Sequence, residues 1–111
     1  MNITTKEVSD ISGIRIAIEE DGKEVGRVRL YILKNDVHEA PFGFLEYVIV
    51  DEAYKGKGIG TVLVKEVIKM AKEKGCYKII CASRFGKEDI HTWYEKLGFK
   101  KHGVEFRMDF I

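Results

Sequence analysis

The chain has 111 residues, 45% of them hydrophobic and 33% charged, with a formal net charge of +1. That length allows one domain with its own core and is too short for two. The charge balance excludes a disordered tail, a collagen-like repeat and the basic footprint of a nucleic-acid binder. The opening "MNITTKEVSD" has neither a basic leader nor an apolar stretch, and no apolar run reaches the about 20 residues that cross a bilayer. The default expectation is a cytoplasmic protein with no membrane partner.

From Gly13 to Glu20, "GIRIAIEE" alternates Ile14, Ile16 and Ile18 with other residues, the period of a half-buried strand. Asp21-Gly22 then predicts a type I′ hairpin, because both central residues of that turn need positive φ. "EVGRVRLYIL" resumes the alternation with Val28, Leu30 and Ile32, and "NDVHEAPFG" reads as a loop. "FLEYVIV", residues 44 to 50, is dense in aromatic and β-branched residues and predicts a central strand buried on both faces. Glu46 is the one charge within it.

"TVLVKEVIKMAKEKG" places Val64, Val67, Ile68 and Ala71 at helical spacing and ends on Gly75, so it predicts a helix opening near Ile59. "YKIICA" reads as a short strand and "RFGKED" as a loop. "IHTWYEKLGF" predicts a helix with Ile90, Trp93, Tyr94 and Leu97 on one face and Gly98 as its stop, and "VEFRMDFI" predicts a closing strand. The expected architecture is a single α/β (α+β) domain over 1–111. Its strand-helix-strand unit from Phe44 to Ala82 makes a right-handed parallel crossover.

Cys76 and Cys81 are the two cysteines, about 16 Å apart if the chain between them is extended, too far for a disulfide. His38, His91 and His102 are scattered, and no cluster has ligand spacing, so no metal site is expected.

The chemistry concentrates in "AYKGKGIGTVL", residues 53 to 63. A strand ending at Val50, a glycine-rich turn and a helix starting near Ile59 leave backbone N–H groups pointing outward at the positive end of a helix dipole. Gly56, Gly58 and Gly60 permit a tight path and close approach of an anion, and Lys55 and Lys57 add charge. The expected guest is a phosphate or pyrophosphate. Two common nucleotide patterns fail: Walker A needs Gly-Lys before Ser or Thr, and here Thr61 directly follows Gly60; G-x-G-x-x-G needs a third glycine where Thr61 stands. A plain strand-to-helix connection remains the competing reading.

From Phe44 onward the chain resembles the GNAT superfamily of N-acetyltransferases. The acetyl-CoA signature of that superfamily (Arg or Gln, two residues, Gly, one residue, Gly or Ala, between a strand and a helix) is matched by Lys55-Gly56-Lys57-Gly58-Ile59-Gly60. The aromatic-Tyr pair followed by Glu-Lys-Leu-Gly-Phe is matched by "WYEKLGF", residues 93 to 99. Lys55 departs from the pattern, keeping a cation and losing the planar fork of arginine.

The resemblance implies a mixed, mostly antiparallel sheet around the parallel unit, abbreviated at the N-terminus, and acetyl-CoA as cosubstrate. It implies that the diphosphate lies on residues 56 to 61 (Gly56, Lys57, Gly58, Ile59, Gly60 and Thr61) beside Lys55. The pantetheine arm would run along Val48, Ile49 and Val50 where two strands splay, with Ser83 completing the cofactor-binding set. It assigns Tyr94 as the general acid, a phenol protonated at neutral pH.

Amine acetylation also needs an oxyanion donor and a base. The backbone N–H of Val48 is the donor candidate. Glu46 is the base candidate, because a carboxylate within an apolar strand is costly unless paired or functional; the competing reading is a carboxylate facing solvent or a cation. Arg27, Arg29 and Tyr31 alternate opposite Val28, Leu30 and Ile32 and would recognise an anionic acceptor, or form a solvated face. His91 reads as a surface or supporting residue, and Cys81 as a small buried residue with no ping-pong role.

The expected reaction moves the acetyl group of acetyl-CoA to a primary amine by direct attack, with a small amine or a peptide as acceptor. "LEYVIVDEAYKGKGIG", "GCYKII" and "GVEFRM" look most like the glucosamine-6-phosphate N-acetyltransferases, the narrower alternative. A non-catalytic CoA-binding module and a phosphate-binding scaffold are the rival classes. The short segment before the first hairpin leaves apolar sheet uncovered, so a homodimer is expected.

Overall fold

The computed structural model describes residues 1–8 and 10–111, which form two compact units, Met1–Cys81 and Ala82–Ile111. The first holds the four-stranded sheet and its packed helix. Its strands run in the order β1 (Asp10–Glu20), β2 (Lys23–Lys34), β3 (Phe42–Val50) and β4 (Ile79–Ile80). The first two pairings are antiparallel and the third is parallel, the mixed sheet that the sequence predicts.

The β1–β2 hairpin turns on Asp21 and Gly22, with φ of 52° and 75°. Both central residues take the positive φ of a type I′ turn. The alternation of β2 is also realised: Val28, Leu30 and Ile32 are buried, while Arg27, Arg29 and Tyr31 on the other face are half-buried.

Helix α1 (Ile59–Glu73) lies against β2 and β3. It buries Ile59, Leu63, Val64, Val67 and Ala71 onto Val25, Val28, Leu30 and Leu45. Each of the Val, Leu and Ile side chains contributes about 1.5–3 kcal/mol relative to exposure. The helix stops as Gly75 predicts. Gly75 takes φ 77°, its N–H donates to Lys72 O and the Cys76 N–H donates to Ala71 O, both over 3.0 Å. That pair of bonds satisfies the last helical carbonyls in a Schellman motif.

One expectation fails in this unit. Strand β3 is not buried on both faces: Tyr47 is 63% exposed and Ile49 is also exposed. The reason is that α1 packs on the face of Gly26, and Ile49 pairs with Arg27 on the other face; at the edge, β4 is only two residues long and pairs with β3 solely at Gly43↔Ile79 and Phe44↔Ile80. The second half of β3 therefore has no strand beside it on that edge among the described residues. Cysteine and metal expectations concern absences; both thiols are free, and among the described residues no cluster of His, Cys, Asp and Glu could hold a metal. Among the described residues no helix is long and apolar enough to cross a membrane.

In the second unit, α2 (Glu88–Lys96) carries Glu88 and Asp89 in its first turn and Lys96 in its last, each matched to the helix dipole. It ends in the same way as α1. Gly98 takes φ 105°, its N–H donates to Glu95 O, and the Phe99 N–H donates to Tyr94 O. Trp93, Tyr94 and Leu97 are half-buried, whereas Ile90 is exposed, so the predicted apolar face is narrower than its spacing suggests.

The closing strand does not form. Residues 100–111 have no regular secondary structure and all are exposed, including Val104, Phe106, Met108 and Phe110 at alternate positions. Period-2 patterning states a capacity for pairing, and a strand exists only where a second backbone accepts its hydrogen bonds.

Candidate acetyl-CoA site

The site begins in a defect of the ladder. Arg27 pairs with Ile49 and Arg29 with Glu46, so one residue of β2, Val28, faces two of β3, Tyr47 and Val48. This is a β-bulge, and Tyr47 adopts φ 55° to make it. Such a conformation is uncommon outside glycine and costs about 1–3 kcal/mol, so the surrounding pairing must hold it.

The bulge redirects the backbone. Asp51 N–H donates to Val25 O over 2.8 Å, toward β2. Strand alternation then turns the amides of Val50 and Val48 toward the opposite edge. That is the edge left bare by the short β4. The main chain at Val48 and Val50 can thus pair with an extended ligand in the manner of an added strand. Val48 and Val50 are half-buried and Ile49 is exposed.

Beyond Val50 the chain passes through one 3-10 turn, Glu52–Tyr54, and enters the glycine segment. Gly56 and Gly58 take φ 78° and 82°, and Gly58 is the N-cap of α1. A Cβ at either position would meet nothing within 4 Å, so glycine is required here for its conformation, and the space above the turn is open. No side chain caps the helix; its first internal bond is Val62 N–H to Gly58 O. The amides of Ile59 and Gly60 precede any helical acceptor, with the positive helix end behind them. Gly60 sits inside α1 and needs no positive φ, which corrects the sequence argument for that glycine. Ile59 is buried, Gly60 and Thr61 half-buried.

The two lysines have partners that sequence reasoning missed. Lys55 Nζ lies 2.9 Å from Glu52 Oε2, and Lys57 Nζ sits over the Tyr54 ring at 5.1 Å from its centroid. Both residues are exposed at the turn. Spacing carries the signal in hindsight, since Glu52 and Tyr54 each stand three residues before their lysine. An anion here would be met by main-chain amides flanked by two tethered cations, a fit for a diphosphate.

Glu46 is half-buried and lies directly opposite Arg29 on β2. Residues 46 to 61 therefore form one continuous stretch, from the candidate base through the bulge to the helix N-terminus. Ser83 and Tyr94 belong to the second unit. Ser83 is exposed and outside any element. Tyr94 is half-buried between two rings, 4.8 Å from Trp93 and 5.4 Å from Phe99 by centroids. His91 supports that unit: its Nε2–H donates to the Arg84 carbonyl over 2.9 Å, tying the preceding loop to α2. Burial pushes the Cys81 thiol up to about 11, leaving it protonated and inert as a nucleophile near neutral pH.

Arg27 departs from the sequence reading. Its guanidinium is already committed to two carboxylates, Nε to Glu24 and Nη2 to Asp51, each over 2.7 Å. It is not a free cation for an acceptor.

A glucosamine 6-phosphate N-acetyltransferase of Trypanosoma brucei brucei is 40% identical over 67 residues, which cover 60% of this chain and 44% of that protein. An aminoglycoside N(6')-acetyltransferase type 1 of Stenotrophomonas maltophilia is 31% identical over 110 residues, 94% of this chain and 72% of that protein. The crystal structure of glucosamine-6-phosphate N-acetyltransferase from Arabidopsis thaliana superposes with a TM-score of 0.81 at 26% identity, covering 89% of this chain and 67% of that one. The chain thus spans less than half the length of its trypanosomal relative. Residues 4–99 match the Acetyltransferase (GNAT) family, a match that takes in the glycine turn, the bulged strand and the Tyr94 helix, and the chain belongs to that family.

Proposed function

We propose that the protein transfers the acetyl group of acetyl-CoA to a primary amine by direct attack. The observation that carries this reading is the pair of main-chain stretches that one strand-to-helix connection joins: Val48 and Val50 on the bare edge of β3, and the Gly56–Gly58 turn with the start of α1, where the amides of Ile59 and Gly60 precede any helical acceptor. Pantetheine pairs with Val48, Ile49 and Val50. The diphosphate rests on residues 56 to 61, with Lys55 and Lys57 screening its charge and Ser83 completing the set.

In the reaction, the amine nitrogen bonds to the thioester carbonyl carbon while its proton passes to Glu46, directly or through water. The Val48 N–H stabilises the developing oxyanion. The C–S bond then breaks and Tyr94 gives its phenolic proton to the leaving sulfur. Amide and free thiol are the products, and no residue is acylated on the way.

A narrower reading makes glucosamine 6-phosphate the acceptor. It is supported by the trypanosomal and Arabidopsis relatives. We infer further that 1–111 acts as one domain, because the family match runs across both units. Two free thiols suit a reducing compartment such as the cytoplasm. The exposed alternation of Val104, Phe106, Met108 and Phe110 supports a homodimer in which a second copy covers it. Light scattering that finds only monomer at micromolar concentration would remove that last point.

The test of the activity is thiol release from acetyl-CoA across amino sugars, polyamines, amino acids and peptides. Turnover with at least one amine, slowed about 10²–10⁴-fold in Tyr94→Phe, is the expected result. A protein that binds coenzyme A and turns over no amine is a binding module.

A further inference from the structure

The three residues Val25, Gly26 and Arg27 of β2 touch both ends of the glycine segment. At one end stands Asp51, the residue where β3 gives way to the 3-10 turn. Val25 O accepts its N–H over 2.8 Å, Arg27 Nη2 donates to its Oδ1 over 2.7 Å, and its own carbonyl accepts the Tyr54 N–H over 2.8 Å. Its side chain does not cap the 3-10 turn, so the Arg27 contact is what orients it. At the other end, a Cβ on Gly26 would come within 2.8 Å of Ile59 Cγ2 and 3.2 Å of Leu63 Cδ1. The first turn of α1 is therefore seated on bare backbone.

Arg27 is itself held. Its Nε donates to Glu24 Oε2, and Glu24 also accepts both terminal nitrogens of Arg15 on β1, over 2.6 and 2.7 Å. The Arg27 side chain is 18% exposed and its planar fork spans two carboxylates at once, a geometry that a lysine does not reproduce.

We infer that Arg27 is a positioning residue for coenzyme A. By fixing Asp51 to β2 it sets where the glycine segment starts, while Gly26 sets where that segment ends, so the outward amides are aimed before any ligand arrives. Preorganisation of this kind acts on affinity, because a loop already in place loses little freedom on binding. The inference rests on the reading that the turn holds the diphosphate.

The experiment is calorimetry of coenzyme A against wild type, Arg27→Met, Arg27→Lys, Asp51→Asn and Arg15→Met, with steady-state kinetics on the same proteins. Arg27→Met and Asp51→Asn should each weaken binding roughly tenfold and raise KM for acetyl-CoA while kcat changes little; Arg27→Lys should recover part of the loss. Arg15→Met removes an outer ion pair of the same network without touching Asp51, and should bind coenzyme A like wild type. If Arg27→Met does not fold, Asp51→Asn tests the same contact with a nearly isosteric change. Wild-type affinity in both Arg27→Met and Asp51→Asn overturns the inference, as does an equal loss in Arg15→Met, which would make the effect one of general hairpin stability. No binding to wild type would instead sink the coenzyme A reading itself.

Discussion

Tyr94 and Phe99 meet edge to face at 5.4 Å between centroids, and the Phe99 N–H donates to the Tyr94 carbonyl over 3.1 Å. The segment "YEKLGF" is thus a helix stop in physical terms. Gly98 supplies the positive φ, and Phe99 folds back as the apolar contact that accompanies a Schellman motif. The spacing from the candidate acid to Phe99 is fixed by how a helix ends, and the ring of Phe99 restrains the ring of Tyr94.

Phe99→Ala should therefore lower kcat while leaving the affinity for coenzyme A unchanged. The loss of the aromatic pair should also destabilise the protein by about 0.5–1.5 kcal/mol in chemical denaturation. Tyr94→Phe keeps the ring contact and removes the proton, so its kcat should fall about 10²–10⁴-fold. A Tyr94→Phe enzyme as fast as wild type would assign the acid elsewhere.

Gly58 and Gly26 require glycine for opposite reasons, and alanine should separate them. Gly58 has open space around it and φ 82°, so Gly58→Ala bears only backbone strain, about 1–2 kcal/mol, with weaker coenzyme A binding because the turn must shift. Gly26 is crowded by Ile59 and Leu63, so Gly26→Ala overpacks the seat of α1 at about 1–3 kcal/mol. Denaturation midpoints and calorimetry on both variants check the contrast. The larger fractional loss of affinity per unit of stability should belong to Gly58→Ala.

What the sequence made legible was local. The Asp21-Gly22 turn, α1 with its Gly75 stop, and the strand-to-helix turn at Gly56 and Gly58 each follow from residues within a few positions of one another. What it hid was set at a distance. The bulge carries its positive φ on Tyr47, a residue type that gives no warning of it. Arg27 and Asp51 lie 24 positions apart, so alternation assigned Arg27 to a face without revealing its partner. The period-2 run ending the chain announced a strand, yet pairing depends on a neighbour that periodicity does not contain.

Acid should weaken the β1–β2 hairpin through one carboxylate. Hydrogen bonds from Arg15 and then Arg27 lower the Glu24 carboxyl from its ordinary 4.5 to about 2. The fold thus favours the ionised form, and that stabilisation is fully present above pH about 4.5 and is lost as pH falls toward about 2. Arg15 is exposed and Glu24 half-buried, so the effect is moderated by solvent and salt. Urea midpoints measured from pH 6 to 2 should fall less steeply for Glu24→Gln than for wild type; parallel slopes would assign acid sensitivity to other carboxylates.

A direct-attack enzyme should leave its cysteines untouched. Cys81 is half-buried with its thiol pushed up to about 11, and burial raises Cys76 as well. At pH 8 only about one Cys81 in a thousand carries the thiolate that nucleophilic attack requires. Incubation with acetyl-CoA and no amine should therefore yield no mass increase on the intact protein, and iodoacetamide should label Cys81 far more slowly than a free thiol. Cys81→Ser should retain kcat, whereas an acetylated Cys81 peptide that turns over when amine is added would establish a two-step route through the protein.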